Sequence, residues 1–139
     1  MHPTAVVIAV GTEIVQGHLL NSNAPWISHR LAELGIGVVR HVSVGDTLAP
    51  LTAEIRRAWE EGLSIVMTGG LGPTVDDNTR RAVAEVLGNP LVRDESAWRE
   101  LALRYAKMHR AIPQGGESQS KVPLGCAAIP NQFGTACGV

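Results

Sequence analysis

Aromatic residues are scarce in this chain: Phe, Trp and Tyr together make up 4% of its 139 positions. A core must therefore be aliphatic, and with 45% hydrophobic residues Val, Ile, Leu and Ala can supply one. Cysteine is nearly absent. Cys126 and Cys137 stand alone, neither in a CxxC pattern, and two cysteines make no disulfide framework. They are read as reduced thiols of a cytoplasmic protein. No sign of charge dominates: 12 Lys and Arg against 13 Asp and Glu leave a net charge of -1, without the basic excess that a nucleic-acid partner calls for. Long apolar runs are missing too. The run AVVIAV, Ala5 to Val10, follows no basic segment and is broken by Gly11, Thr12 and Glu13, too short for a signal peptide or a membrane span. The histidines, His2, His18, His29, His41 and His109, include no pair at the spacing of a helical metal site. The length fits one domain, residues 1–139.

What is present is an alternation of apolar runs and amphipathic stretches. Ala5 to Val10 reads as a strand buried on both faces. Asn23 is placed to cap a helix with Pro25 in its first turn, Ile27, Leu31 and Leu34 on one face, and Gly35 at its end. Val38 to Val44 reads as a second strand, and a helix with Leu51, Ile55, Ala58 and Trp59 on one side runs to Gly62. Ser64 to Thr68 is a third buried strand. A helix through Arg81 to Leu87 stops at Gly88, and Asp94 caps another that carries Trp98, Leu101 and Tyr105. Ile112 to Gly125 reads as loop, and Cys126 to Ile129 as a short strand with Cys126 an inert core thiol. The order predicts parallel βαβ units with helices on both faces, a three-layer α/β/α fold.

In such sheets ligands bind beyond the carboxyl ends of the strands. Three segments fall there: Gly11-Thr12-Glu13, Gly45-Asp46, and Thr68 to Asp77. In the third, Gly69, Gly70 and Gly72 let the backbone approach a ligand, and their amides, with Thr74, can cradle a phosphate. No Lys follows as in a Walker loop. Asp76 and Asp77 would repel a bare phosphate, so a divalent cation, Mg²⁺ by preference for oxygen ligands, is expected between them and the ligand, with Glu13 as a further metal ligand. Against this, Asp77 is equally well placed as a helix cap, Asp46 as a turn residue, and Arg80-Arg81 as a solvated helix face, although Arg80 could reach a phosphate.

Taken together, the motifs resemble a known family. AVGTEIVQGHLLNSNAPWISHRLAELGI looks like the opening of CinA-type competence/damage-inducible proteins, VGD at Val44 to Asp46 matches their second loop, TGGLGPTVDDNTR at Thr68 to Arg80 their most specific motif, and PNQFGTACG a later element. The resemblance runs from about Ala5 to the last residue. It implies a molybdopterin-binding-like domain related to MogA and MoaB, in which the glycine loop and a following Asp bind the pterin and support its adenylylation. By motif alignment these acids are Asp77 and, from the second loop, Asp46, the candidate catalytic pair; Gly11, Thr12, Asn23, Gly69, Gly70, Gly72 and Thr74 become candidate ligand contacts. In CinA-type proteins the resemblance implies instead metal-dependent hydrolysis of the ADP-ribose pyrophosphate bond. Their separate deamidase domain is not expected in this chain. The chain departs from the pattern at Asn21-Ser22-Asn23, at Cys137 in place of Pro, and at Gly115 to Ser120, where GGESQS replaces Asn-Arg-Lys-Gln and leaves Lys121 as a displaced cation. The family domain also continues into a further strand and a closing Pro-Gly-Pro loop, so an incomplete domain with an exposed sheet edge, open to self-association, is expected. The expected partner is a nucleotide or pterin; the readings in order are a nucleotide-pyrophosphate hydrolase, a pterin or adenylyl-transfer protein, and a non-catalytic binding remnant.

Overall fold

The computed structural model describes residues 3–139, and His2 lies outside them. The chain forms two compact units, one extending to Gly69 and the other Gly70–Val139.

The first unit is a parallel sheet, β1 (Thr4–Val10), β2 (Gly37–Val44) and β3 (Ser64–Thr68), in the order β2-β1-β3. β1 is central, and Ala5 to Ala9 have no exposed surface. This is why its sequence is an unbroken aliphatic run: side chains alternate between two faces that are both covered. β2 alternates exposed and covered residues as an edge strand does. β3 was expected to be as buried as β1, but it forms the other edge and is only half-buried.

A short helix α1 (Thr12–Val15) follows β1, then α2 (Asn23–Glu33) packs on β1 and β2, and α3 (Leu48–Glu60) on β3. The chain leaves β1 to one side for β2, then crosses to the other side for β3. Right-handed crossovers therefore put α2 and α3 on opposite faces, which makes three layers in this unit. Leu51, Ile55 and Ala58 are buried on α3 at helical spacing, Leu51 and Ile55 contributing about 1.5–3 kcal/mol each. Trp59 and Leu34 were placed on the inward faces but are exposed at 61% and 74%. Asn23 does not cap α2; the Asn21 side chain accepts the Ala24 amide at 3.2 Å in that role. Arg40 on β2 holds Glu54 of α3 and Glu61 just after it, and the hydrogen bonds from Arg40 and Arg57 keep the Glu61 carboxyl below its ordinary value.

The second unit contains α4 (Thr79–Leu87), β4 (Leu91–Arg93), α5 (Glu95–Lys107), a 3₁₀ turn (Gly116–Ser120) and β5 (Lys121–Pro123). β4 and β5 pair antiparallel, Val92 opposite Val122 and Arg93 opposite Lys121. The segment expected to be loop thus holds a turn and a strand. Asp94 caps α5 as expected, accepting the Ala97 amide at 2.8 Å. Ala97, Val122 and Cys137 form a small core with Ala128 and Val139 against it. Cys126 is in no strand: it lies in the turn after β5, half-buried, and the core thiol is Cys137. Among the described residues no helix is long and apolar enough to cross a membrane.

Candidate functional site

In the first unit the loops after β1 and β2 are clamped together. The Thr12 amide and hydroxyl donate to Asp46 Oδ2 at 2.9 and 2.7 Å, and the Asp46 amide donates to Thr12 Oγ1 at 3.3 Å. The Gly11 amide donates to the Val44 carbonyl at 2.9 Å. These bonds fix the carboxyl ends of neighbouring strands, and they give Asp46 and Thr12 a shared structural role. The Glu13 carboxylate curls back over Gly11, close enough that a Cβ there would crowd it. Gly69, at φ +92°, passes over the end of β1, where a Cβ would overlap the Val10 carbonyl; only glycine fits this crossing. Asn23 is exposed at the start of α2.

In the second unit the remainder of the glycine loop folds onto Asp77. The Thr74 amide and hydroxyl donate to Asp77 Oδ2 at 2.8 and 2.6 Å. A Cβ on Gly72 would come within about 3 Å of the same carboxylate. Asp77 is therefore no helix cap. The residue before α4 is Asn78, whose side chain makes no cap bond, and Asp77 reaches back into the loop instead. Burial pushes the Asp77 carboxyl up, but the Thr74 hydroxyl and amide, the Gly72 backbone and the charge of Arg80 outweigh it and hold the carboxyl below its ordinary value. Asp77 is an anion at neutral pH. Gly70, at φ +64°, accepts the Thr79 amide through its carbonyl at 3.2 Å, and Asp76 is exposed.

Arg80 is the residue that sequence reasoning misplaced. It is 4% exposed rather than on a solvated face. Its guanidinium donates to the carbonyls of Leu71 at 2.9 Å, Gln119 at 3.1 Å and Cys137. It ties the glycine loop to the 3₁₀ turn and the C-terminal segment, and its Nε is buried with no hydrogen-bond partner among the described residues.

Beside it lies a cleft of about 320 Å³, walled by Gly72, Thr74, Asp77, Arg81, Ser118 and Lys121 as well as Arg80. Its lining carries three cationic residues and one carboxylate, a net positive balance that suits an anion. Among the described residues no group of three or more His, Cys, Asp or Glu is gathered as a metal site of protein ligands alone would need. Mg²⁺, however, commonly takes one or two carboxylates and completes its shell with ligand phosphates and water, and Asp76 with Asp77 could offer that much.

Comparisons with known proteins agree with this architecture. The family model described as "Probable molybdopterin binding domain" matches residues 6–138. A CinA-like protein of Thermomicrobium roseum is 42% identical over 134 residues, 96% of this chain and 33% of that protein, so the chain spans about a third of the curated relative's length. The crystal structure of CinA from Thermoplasma acidophilum, described there as of unknown function, superposes with a TM-score of 0.89 at 36% identity, covering 97% of this chain and 79% of that one. The molybdopterin biosynthesis enzyme MoaB of Thermus thermophilus, at 23% identity, shares the fold with a TM-score of 0.58 over 74% of this chain and 64% of its own. The chain belongs to the molybdopterin-binding-domain family and, within it, to the CinA-like proteins.

Proposed function

We propose that this chain binds a nucleotide diphosphate of the ADP-ribose type and, with Mg²⁺, hydrolyses its pyrophosphate bond to AMP and ribose 5-phosphate. The observation that carries the binding half is the net-positive cleft beside the glycine loop, whose lining includes Arg80, Arg81 and Lys121 with Asp77 as its carboxylate. A diphosphate matches that charge, whereas a neutral ligand would leave it uncompensated. Asp76 and Asp77 would hold the cation. When bound, Mg²⁺ neutralises charge on the diphosphate and lowers the pKa of a coordinated water. Arg81 and Lys121 orient the phosphates, and the anionic Asp77 keeps a carboxylate available at neutral pH.

The second reading is a phosphorylated pterin as ligand, favoured by the family description and by the fold shared with MoaB. Calorimetric titration with ADP-ribose and with a pterin phosphate, with and without Mg²⁺, separates the two, and chromatography of the incubated ADP-ribose detects AMP. Mg²⁺-dependent appearance of AMP supports the hydrolase. Binding of the pterin alone, with ADP-ribose left intact, replaces it with the second reading.

A further inference from the structure

We propose that Lys121 and Ser118 form a phosphate seat on the wall of the second-unit cleft that faces the glycine loop. A phosphomonoester or diphosphate would be held there by an ammonium and a hydroxyl. The proposal rests on reading that cleft as an anion site.

Four observations point to it. First, the wall is built on fixed backbone. Gly115, at φ +82°, lies against the Pro73 carbonyl, where a Cβ would be 3.0 Å away, and Ser120 Oγ donates to the Glu117 carbonyl at 2.8 Å. The register that sets Lys121 opposite Arg93 fixes where the lysine leaves the strand. Second, Ser118 is one of the residues that line the cleft, and its Oγ is buried and finds no hydrogen-bond partner among the described residues. Buried hydroxyls nearly always have a partner, and a phosphate oxygen would supply one. Third, the Lys121 ammonium is only loosely engaged. It lies 3.9 Å from Glu117 Oε1, an atom that also lies 3.9 Å from Arg93. Such a partly exposed contact holds the lysine weakly, and its flexible stem can turn to an anion. Fourth, two other groups on the cleft are already engaged. Asp77 occupies the donors of Thr74 and repels a phosphate at that end, and the Arg80 guanidinium is committed to three carbonyls. That leaves Arg81 and the wall of Lys121 and Ser118 to receive a phosphate.

Inorganic pyrophosphate is the probe, titrated calorimetrically in Mg²⁺-free buffer at low ionic strength. Lys121→Met keeps the stem and removes the charge; it is expected to weaken binding about tenfold, while Lys121→Arg stays within about threefold, in line with a charged hydrogen bond. Ser118→Ala, which leaves the turn intact, is expected to weaken binding about threefold to tenfold. Lys107→Met, the same charge removed elsewhere on the unit, leaves affinity unchanged. The salt dependence of binding flattens in Lys121→Met because one screened attraction is gone. Wild-type pyrophosphate affinity in a Lys121→Met protein of unchanged melting temperature overturns the seat, and so does a wild-type chain that binds no pyrophosphate. The hydrolase reading fails separately. Lys121-dependent pyrophosphate binding with ADP-ribose left intact keeps the seat and removes the hydrolase. Unchanged ADP-ribose hydrolysis in Lys121→Met keeps the hydrolase and removes the seat.

Discussion

Asp77→Asn isolates what the Asp77 charge contributes. The carboxylate accepts two bonds from Thr74, at 2.8 and 2.6 Å, and is held below its ordinary pKa. Asn keeps an acceptor oxygen but makes neutral bonds. The difference between a charged and a neutral hydrogen bond is about 1 kcal/mol, so two bonds give an upper bound of about 2 kcal/mol. The site is open to water, which screens the charge, so about 1 kcal/mol is expected. For a domain of this length that lowers the melting temperature by about 2–4 °C. The sign with pH follows from the depressed carboxyl. Its contribution is fully present above the unfolded pKa, about 4, and is lost as pH falls through the lower folded value. The gap between wild type and variant should therefore be constant near neutrality and close in acid. Mg²⁺-dependent hydrolysis of ADP-ribose should fall on the order of a hundredfold, since a few kcal/mol of charge stabilisation is lost. Differential scanning fluorimetry between pH 3 and 7 and a chromatographic assay for AMP make both measurements. A variant that melts with the wild type at every pH and still produces AMP at the wild-type rate would refute the reasoning on both counts.

Two further outcomes follow from single contacts. Arg80→Met should cost about 3–5 kcal/mol in urea denaturation, because the Leu71, Gln119 and Cys137 carbonyls lose a buried cation together; a loss under 1 kcal/mol would mean those bonds are dispensable. Gly69→Ala should lower the melting temperature by several degrees, since its left-handed backbone costs about 1 kcal/mol and the Val10 carbonyl has to move as well; an unchanged melt would show that the crossing is not tight.

The sheet was legible where burial leaves a simple trace. Ala5 to Val10 is apolar at every position because both faces are covered, and the acid that begins α5 caps it at the spacing its sequence shows. β4 and β5 left no such trace. Each is three residues long, too short for a period, and their pairing spans the whole of α5. Arg80 was misread for a related reason. Its acceptors on Gln119 and Cys137 lie 39 and 57 residues away, so a local pattern registers only a charge on a helix. The candidate acids were legible as residues but not as an arrangement. Asp46 is bound to Thr12 in one unit and Asp77 to Thr74 in the other. The Thr-x-x-Asp spacing of Thr74 and Asp77 was a usable signal for the second of these.

The hold of Asp77 on Thr74 means that this loop already carries an anion of its own. A phosphate that seeks the same donors meets a tethered rival whose effective concentration, across so short a stretch of chain, is on the order of millimolar or more. Simple monovalent anions at lower concentration would be turned away. A ligand would gain entry by arriving with a cation that draws the carboxylate off the loop. The loop thereby sets a threshold for what it admits, and a single hydroxyl and amide on Thr74 set its height.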